Sequence, residues 1–201
     1  MSEQLPNEPE MEPLTRPQIL IAMGVTAIIL LGVAKLWLYL GSVSRLAWEW
    51  DWLAIAWGVG LGFGISAASS IVYRWWPAYR RCANFYLELV LEPLLWPDLI
   101  WLGLLPGMSE ELLFRGVMLP AIGMNPAGLV VSSACFGFLH LSGPQQWPYM
   151  VWATIVGLLL GSSALITGNL LVPIAAHIVT NLLSSVLWKM GKMSQESESL
   201  D

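Results

Sequence analysis

Apolar residues fill this chain in long runs, and short polar clusters separate them at intervals suited to membrane-crossing helices. Ile19 to Leu40 is interrupted only by Lys35, whose stem can carry its charge toward an interface. Trp52 to Trp75 is the next run, and its Gly60 and Gly64 form a small-xxx-small pair that permits close approach of a neighbouring helix. Asn84 to Pro97 is apolar but carries Glu88, Glu92 and Pro93, a pattern that predicts a helix lying at the interface. In Asp98 to Ile122, Pro106 removes a backbone donor and crowds the carbonyl of Leu102, so a kink or break is expected there. Pro126 to Leu141, Tyr149 to Thr167 and Leu170 to Met190 complete the series. A crossing helix needs about 20 apolar residues. The pattern therefore predicts an all-α, polytopic transmembrane bundle of about six spans plus an interfacial helix. Residues 1–18 and 191–201 are expected to be flexible acidic tails around a single membrane domain at 19–190.

Composition agrees with the pattern. The 201 residues are 56% hydrophobic and only 11% charged, against about 25% charged in soluble domains. The net charge of −5 arises largely in the tails, and no basic run points to a nucleic-acid partner. Arg74, Arg80 and Arg81, together with Lys189 and Lys192, place both termini on the cytoplasmic side by the positive-inside rule. The membrane is that of a cell (inner or plasma membrane) or an organelle. Trp48, Trp50 and Trp52 fit an aromatic belt. Cys82 and Cys135 have no metal-type spacing and are expected to be free thiols, with Cys135 a small core residue.

Polar chemistry inside the runs is sparse. It consists of Lys35, Glu110, Glu111, Arg115, His140, His177 and Asn181. A charge at the bilayer centre costs roughly 2.5–3.5 kcal/mol on insertion scales, so Glu110, Glu111 and Arg115 need pairing or a wet cavity. Glu111 and Arg115 are four apart, as are His177 and Asn181, so each pair shares a helix face. Glu110 is turned about 100° from Glu111 and is free for a separate role. A structural alternative makes Ser109 an N-cap, with both acids complementing a helix dipole and Glu111–Arg115 a plain ion pair. An acid, two histidines and an asparagine on three helices weigh instead toward a functional pocket. A proton relay in a transporter and a non-catalytic scaffold use the same residue types; no inverted repeat supports the former.

Glu110-Glu111-xxx-Arg115, Phe136-xxx-His140 and His177-xxx-Asn181, with Thr167-Gly168-Asn169-Leu170 before the last, resemble the ordered motifs of the CAAX prenyl protease 2 and bacteriocin-processing intramembrane proteases. The resemblance covers roughly Pro106 to Leu187, with a family-like core at about 98–190, and no motif position departs from it. It implies an intramembrane endopeptidase acting on a membrane-associated peptide or protein, including lipidated ones. Glu110 and His140 would activate water, His177 and Asn181 would stabilise the oxyanion, and Glu111 with Arg115 would hold the site's geometry. Membrane lipid is the other implied partner. The family is also described as metallo-type, which would put zinc or another divalent metal on Glu110, His140 and His177. The metal-free glutamate mechanism is preferred, because the chain has no His-Glu-xx-His motif and an acid–histidine pair needs no ion to activate water.

Overall fold

A computed structural model describes residues 14–198, and the outer parts of both expected tails lie outside the described residues. Among those residues all regular structure is helical: α1 Arg16–Leu40, α2 Trp52–Trp75, α3 Pro77–Leu91, α4 Leu99–Glu111, α5 Leu119–Ile122, α6 Pro126–Leu139, α7 Trp147–Thr167 and α8 Leu171–Glu198. A π-helical turn, Leu112–Met118, joins α4 to α5.

Local sequence explains most of the boundaries. Asp51 accepts the N–H groups of Leu53 and Ala54 at 3.1 and 3.3 Å to open α2. Asn125 does the same for Ala127 and Gly128 in α6. Helix α7 ends at Gly168 in the left-handed region (φ 65°), where a side chain would be strained. Asn169 then caps α8 through the Leu171 N–H. Helix α1 begins at Arg16, earlier than the apolar run, because Arg16 grips Asp98 at the foot of α4 with two bonds of 2.7 and 2.8 Å. Helix α8 continues past residue 190, through the stretch expected to be tail, and Lys192 there reaches Glu92 at 2.5 Å.

The count of six spans is revised. Four helical stretches among the described residues are long and apolar enough to cross a membrane: Arg16–Leu40, Trp52–Trp75, Pro144–Thr167 and Leu171–Gln195. A fifth crossing exists if α3 and Trp96–Ile122, which meet at 111°, form one broken span. Helix α6 has only 14 residues, about 21 Å at the helical rise and short of the hydrocarbon thickness. One face of it, with Ser132, Ser133, Phe136 and Gly137, is buried in the bundle, while Val130, Val131, Phe138 and Leu139 are exposed on the other. Large apolar side chains such as Ile21, Ile28, Trp57, Phe63 and Ile166 cover the outside, as lipid-facing helices require.

Helix α8 is central and packs on α2, α4 and α7. The α2 glycines that allow this are Gly58 and Gly62, not the expected Gly60 and Gly64. A methyl group on Gly62 would sit 2.7 Å from Val179 Cβ and 2.8 Å from the Ala176 carbonyl, whereas Gly60 and Gly64 have nothing within 4 Å. The two pairs point to opposite sides of the helix, and sequence spacing does not say which side meets a partner. Gly62→Ala is expected to lower stability by about 1–3 kcal/mol through overpacking. Gly60→Ala and Gly64→Ala should be neutral or slightly stabilising, since alanine is the better helix former. Thermal unfolding in detergent checks the contrast, and equal effects at Gly60 and Gly62 would overturn this packing. The cysteines are both free, but Cys82 is the buried one and Cys135 is exposed.

Candidate active site

Two prolines shape the helix that carries the acids. Pro106 does not break it, and α4 runs unbroken to Glu111, with the irregular turn placed one step later. Pro106 has no N–H for the Leu102 carbonyl four residues back, and that carbonyl accepts instead from Asn181 Nδ2 at 3.4 Å. Pro120 likewise leaves the Gly116 carbonyl open, and the Leu46 N–H takes it at 2.9 Å. The extended segment after α1 is thereby tied to the π-helical turn. Such turns recur at functional sites because they re-aim side chains out of the regular 3.6 repeat.

Ser109 lies inside α4 and donates its hydroxyl to the Leu105 carbonyl at 2.7 Å. It caps nothing, so the dipole account of the two acids is set aside: Glu110 and Glu111 have helix on both sides. Glu111 and Arg115 are wholly buried and paired, with Arg115 Nη1 donating to Glu111 Oε1 at 2.9 Å. The guanidinium also donates from Nη2 to the Gly157 carbonyl at 2.8 Å and lies 4.4 Å over the Phe136 ring. A methyl group on Gly157 would crowd Arg115 Nη2 at 3.1 Å and the Phe136 ring at 3.2 Å, so glycine lets the guanidinium approach without displacing either.

Glu111 does more than pair with arginine. Its Oε1 is also 2.8 Å from His177 Nδ1. A carboxylate held by Arg115 accepts only, so His177 donates its Nδ1–H and its Nε2 is left free. His140 ends α6 and is fixed in the same way: Nδ1 lies 2.9 Å from the Phe136 carbonyl, which can only accept. Its Nε2 therefore faces outward with a lone pair in the neutral form. The backbone carbonyl of His140 accepts from the Tyr86 hydroxyl at 2.9 Å, and the Phe136 ring packs against both imidazoles, at 4.8 and 5.8 Å.

Glu110 is 7% exposed, and its Oε2 has no hydrogen-bond partner. That oxygen lies 3.9 Å from His140 Nε2, too far for a direct hydrogen bond and well suited to one bridging water. Glu110, His140, His177 and Asn181 all line one cavity of about 530 Å³, whose other walls are mostly apolar side chains of α1, α3 and α4. The four residues singled out by sequence are thus brought together, with Glu111 and Arg115 directly behind them. Tyr86, Tyr149 and Gly157 were not singled out. Tyr149 stacks on Tyr79, meets Tyr86 at 4.5 Å and His140 at 6.0 Å, and lines the same cavity. Only the Gly157/Gly161 spacing in α7 carried any hint of a close approach. Among the described residues, no three His, Cys, Asp or Glu side chains gather around a point that would hold a metal ion. As these side chains stand, the donor set does not fit a metal centre.

The type II CAAX prenyl endopeptidase Rce1-like family model matches residues 92–183. The chain is also similar to "Uncharacterized protein YpbD" of Bacillus subtilis (strain 168), 32% identical over 112 residues, 56% of this chain. That match spans 57% of the relative's length, so the chain covers little more than half of it. No solved structure matches. Residues 92–183, which hold both acids, Arg115, both histidines and Asn181, are the part of the chain that is similar to the Rce1-like type II CAAX prenyl endopeptidases.

Proposed function

We propose that the protein is an intramembrane endopeptidase that hydrolyses a peptide bond of a membrane-associated peptide or protein with water activated by Glu110 and His140. The observation that carries this reading is the unpartnered, buried Glu110 Oε2 facing His140 Nε2 across a water-sized gap. Burying a carboxylate oxygen without a donor is costly, and a water that donates one proton to Glu110 and one to His140 relieves it. The same two bonds turn the oxygen lone pairs toward an incoming carbonyl carbon. As the water oxygen attacks, its proton passes to Glu110. When the C–N bond breaks, that proton leaves with the departing amine.

His177 and Asn181 stand on the same cavity wall as oxyanion donors. With Nδ1–H given to Glu111, His177 donates from Nε2 only as imidazolium, for which Glu111 supplies the counter-charge. Asn181 has two amide hydrogens. Leu102 takes one and orients the group, and the other remains for substrate. Glu111 and Arg115 serve as positioning residues. The family description supports a lipidated, membrane-associated substrate. The basic clusters support cytoplasmic termini: Arg16 binds Asp98 and Lys192 binds Glu92, which puts the start of α1 and the last turns of α8 beside the α3–α4 turn.

The test compares membrane peptides released in cells making the wild-type protein or Glu110→Gln. Products present only with the wild type support the reading, and identical peptide sets sink it. Chelator treatment of purified protein should leave cleavage unchanged. Stoichiometric bound zinc with activity lost on chelation would replace the metal-free mechanism.

Pro106 offers a finer check. Pro106→Ala restores an N–H that competes with Asn181 for the Leu102 carbonyl. Turnover is expected to fall about three- to tenfold, the effect of loosening one hydrogen bond, without loss of thermal stability, since alanine suits the helix better. In an Asn181→Ala background the same change should have no further effect. An additive loss there would mean that Pro106 acts by another route.

A further inference from the structure

A second cavity, also of about 530 Å³, adjoins the first, and Ser69, Tyr79, Ala83, Leu87 and Ser184 line both. The two differ in chemistry. The walls around Glu110 are dominated by residues such as Ile19, Met23, Val90 and Leu91. The second cavity is bounded by the last turns of α2, by α3 and by the end of α8, and Ser66, Ser70, Tyr73, Asn84, Glu88 and Gln195 contribute polar groups. Its charged and amide side chains mark the end of the bundle that lies beyond the hydrocarbon.

Two donors here, Asn84 Nδ2 and the Ser184 hydroxyl, lack partners among the described residues. The Tyr73 hydroxyl is given to Asn84 Oδ1 at 2.8 Å, which leaves the Asn84 Nδ2 hydrogens free. Ser69 Oγ accepts from Trp152 Nε1 at 3.1 Å and is also hydrogen-bonded to the Tyr79 hydroxyl, so it is an anchored part of the wall. The Ser184 hydroxyl has no hydrogen-bond partner among the described residues. Uncharged donors along a wet wall suit the carbonyl groups and polar side chains of an extended peptide.

We infer that this polar cavity is a substrate subsite, and that the enzyme takes an amphiphilic chain whose apolar part lies beside Glu110 while a polar peptide segment occupies the space walled by Asn84, Ser69 and Ser184. The inference rests on the peptidase reading above and deepens it by naming the substrate's form. One cavity alone would select for apolarity. The continuous pair selects for a polar segment joined to an apolar one, with the scissile bond at the apolar end.

The experiment uses full-length protein in detergent micelles and synthetic peptides sharing one Leu/Ala-rich block. One peptide is the block alone, and the others carry a Ser/Gln-rich extension on the amino or the carboxyl side. One extended peptide is expected to be cleaved with a kcat/KM about tenfold above that of the bare block, as one or two added hydrogen bonds give. Asn84→Trp, which fills the space, and Asn84→Ala, which removes the donor, should bring that ratio back toward one. Both lie at an exposed helix position where folding tolerates change. Trp57→Phe, on the lipid-facing side, should leave the ratio as in the wild type. Equal cleavage of all peptides overturns the inference, as does a ratio unmoved by either Asn84 variant. Dependence of activity on the lipid headgroup in place of the extension would also overturn it, by assigning the cavity to lipid. No cleavage of any peptide by a wild-type protein that is folded in the micelle overturns the peptidase reading itself.

Discussion

Glu110→Gln is expected to reduce kcat by roughly 10²–10⁴-fold, the range for loss of a positioned general base, while the protein folds and inserts as before. Glutamine keeps the shape of the side chain and cannot take a proton from water. Glu110 Oε2 bonds no protein group, so the exchange breaks no network and removes a charge that is costly to bury. Stability should therefore hold or rise, in contrast to the usual cost of altering a buried acid. A peptide-cleavage assay with thermal unfolding in the same detergent reads both quantities. Full activity in Glu110→Gln would remove the carboxylate from the chemistry. Lost activity with a lowered unfolding midpoint would make Glu110 a structural residue and the pocket a polar core.

Much of this site was legible because lipid makes polar residues informative. An apolar run announces a helix, and Glu110, His140, His177 and Asn181 stood out against such runs before any coordinates. Their convergence on one cavity follows from the cost of leaving them at a lipid face. What was not legible depended on partners distant in sequence. Periodicity grouped Glu111 with Arg115, but nothing in it revealed that the same carboxylate holds His177, 66 residues away. Pro106 was expected to kink or break its helix. Instead Asn181, from another helix, meets the carbonyl that the proline frees, so the chain stays helical at that point. The choice of Gly58 and Gly62 over Gly60 and Gly64 was hidden for the same reason: spacing is identical for both pairs, and only α8 tells them apart. The span count erred where apolarity and length part company. Helix α6 is as apolar as its neighbours but too short to cross.

Arg115→Met is expected to destabilise the protein by about 3–5 kcal/mol, the cost of breaking a buried ion pair from one side. The reason lies in what remains behind. Glu111 is fully buried, and without the guanidinium its charge is opposed only by the Nδ1–H of His177. The Gly157 carbonyl loses its donor as well, and the Phe136 face loses its cation. Lysine should rescue little, because a single ammonium cannot reproduce the planar fork that meets the Glu111 carboxylate and the Gly157 carbonyl together. Removing both charges should behave differently. In Glu111→Gln/Arg115→Met no unpaired charge is left in the core, so most of the lost stability should return. Activity should not return with it, because an amide can turn either its oxygen or its NH2 toward His177 and no longer fixes which ring nitrogen carries the proton. Unfolding midpoints and turnover of the two variants separate these effects. A double variant as unstable as the single one would mean that the arginine contributes shape and not charge, and an active double variant would detach Glu111 from the function of His177.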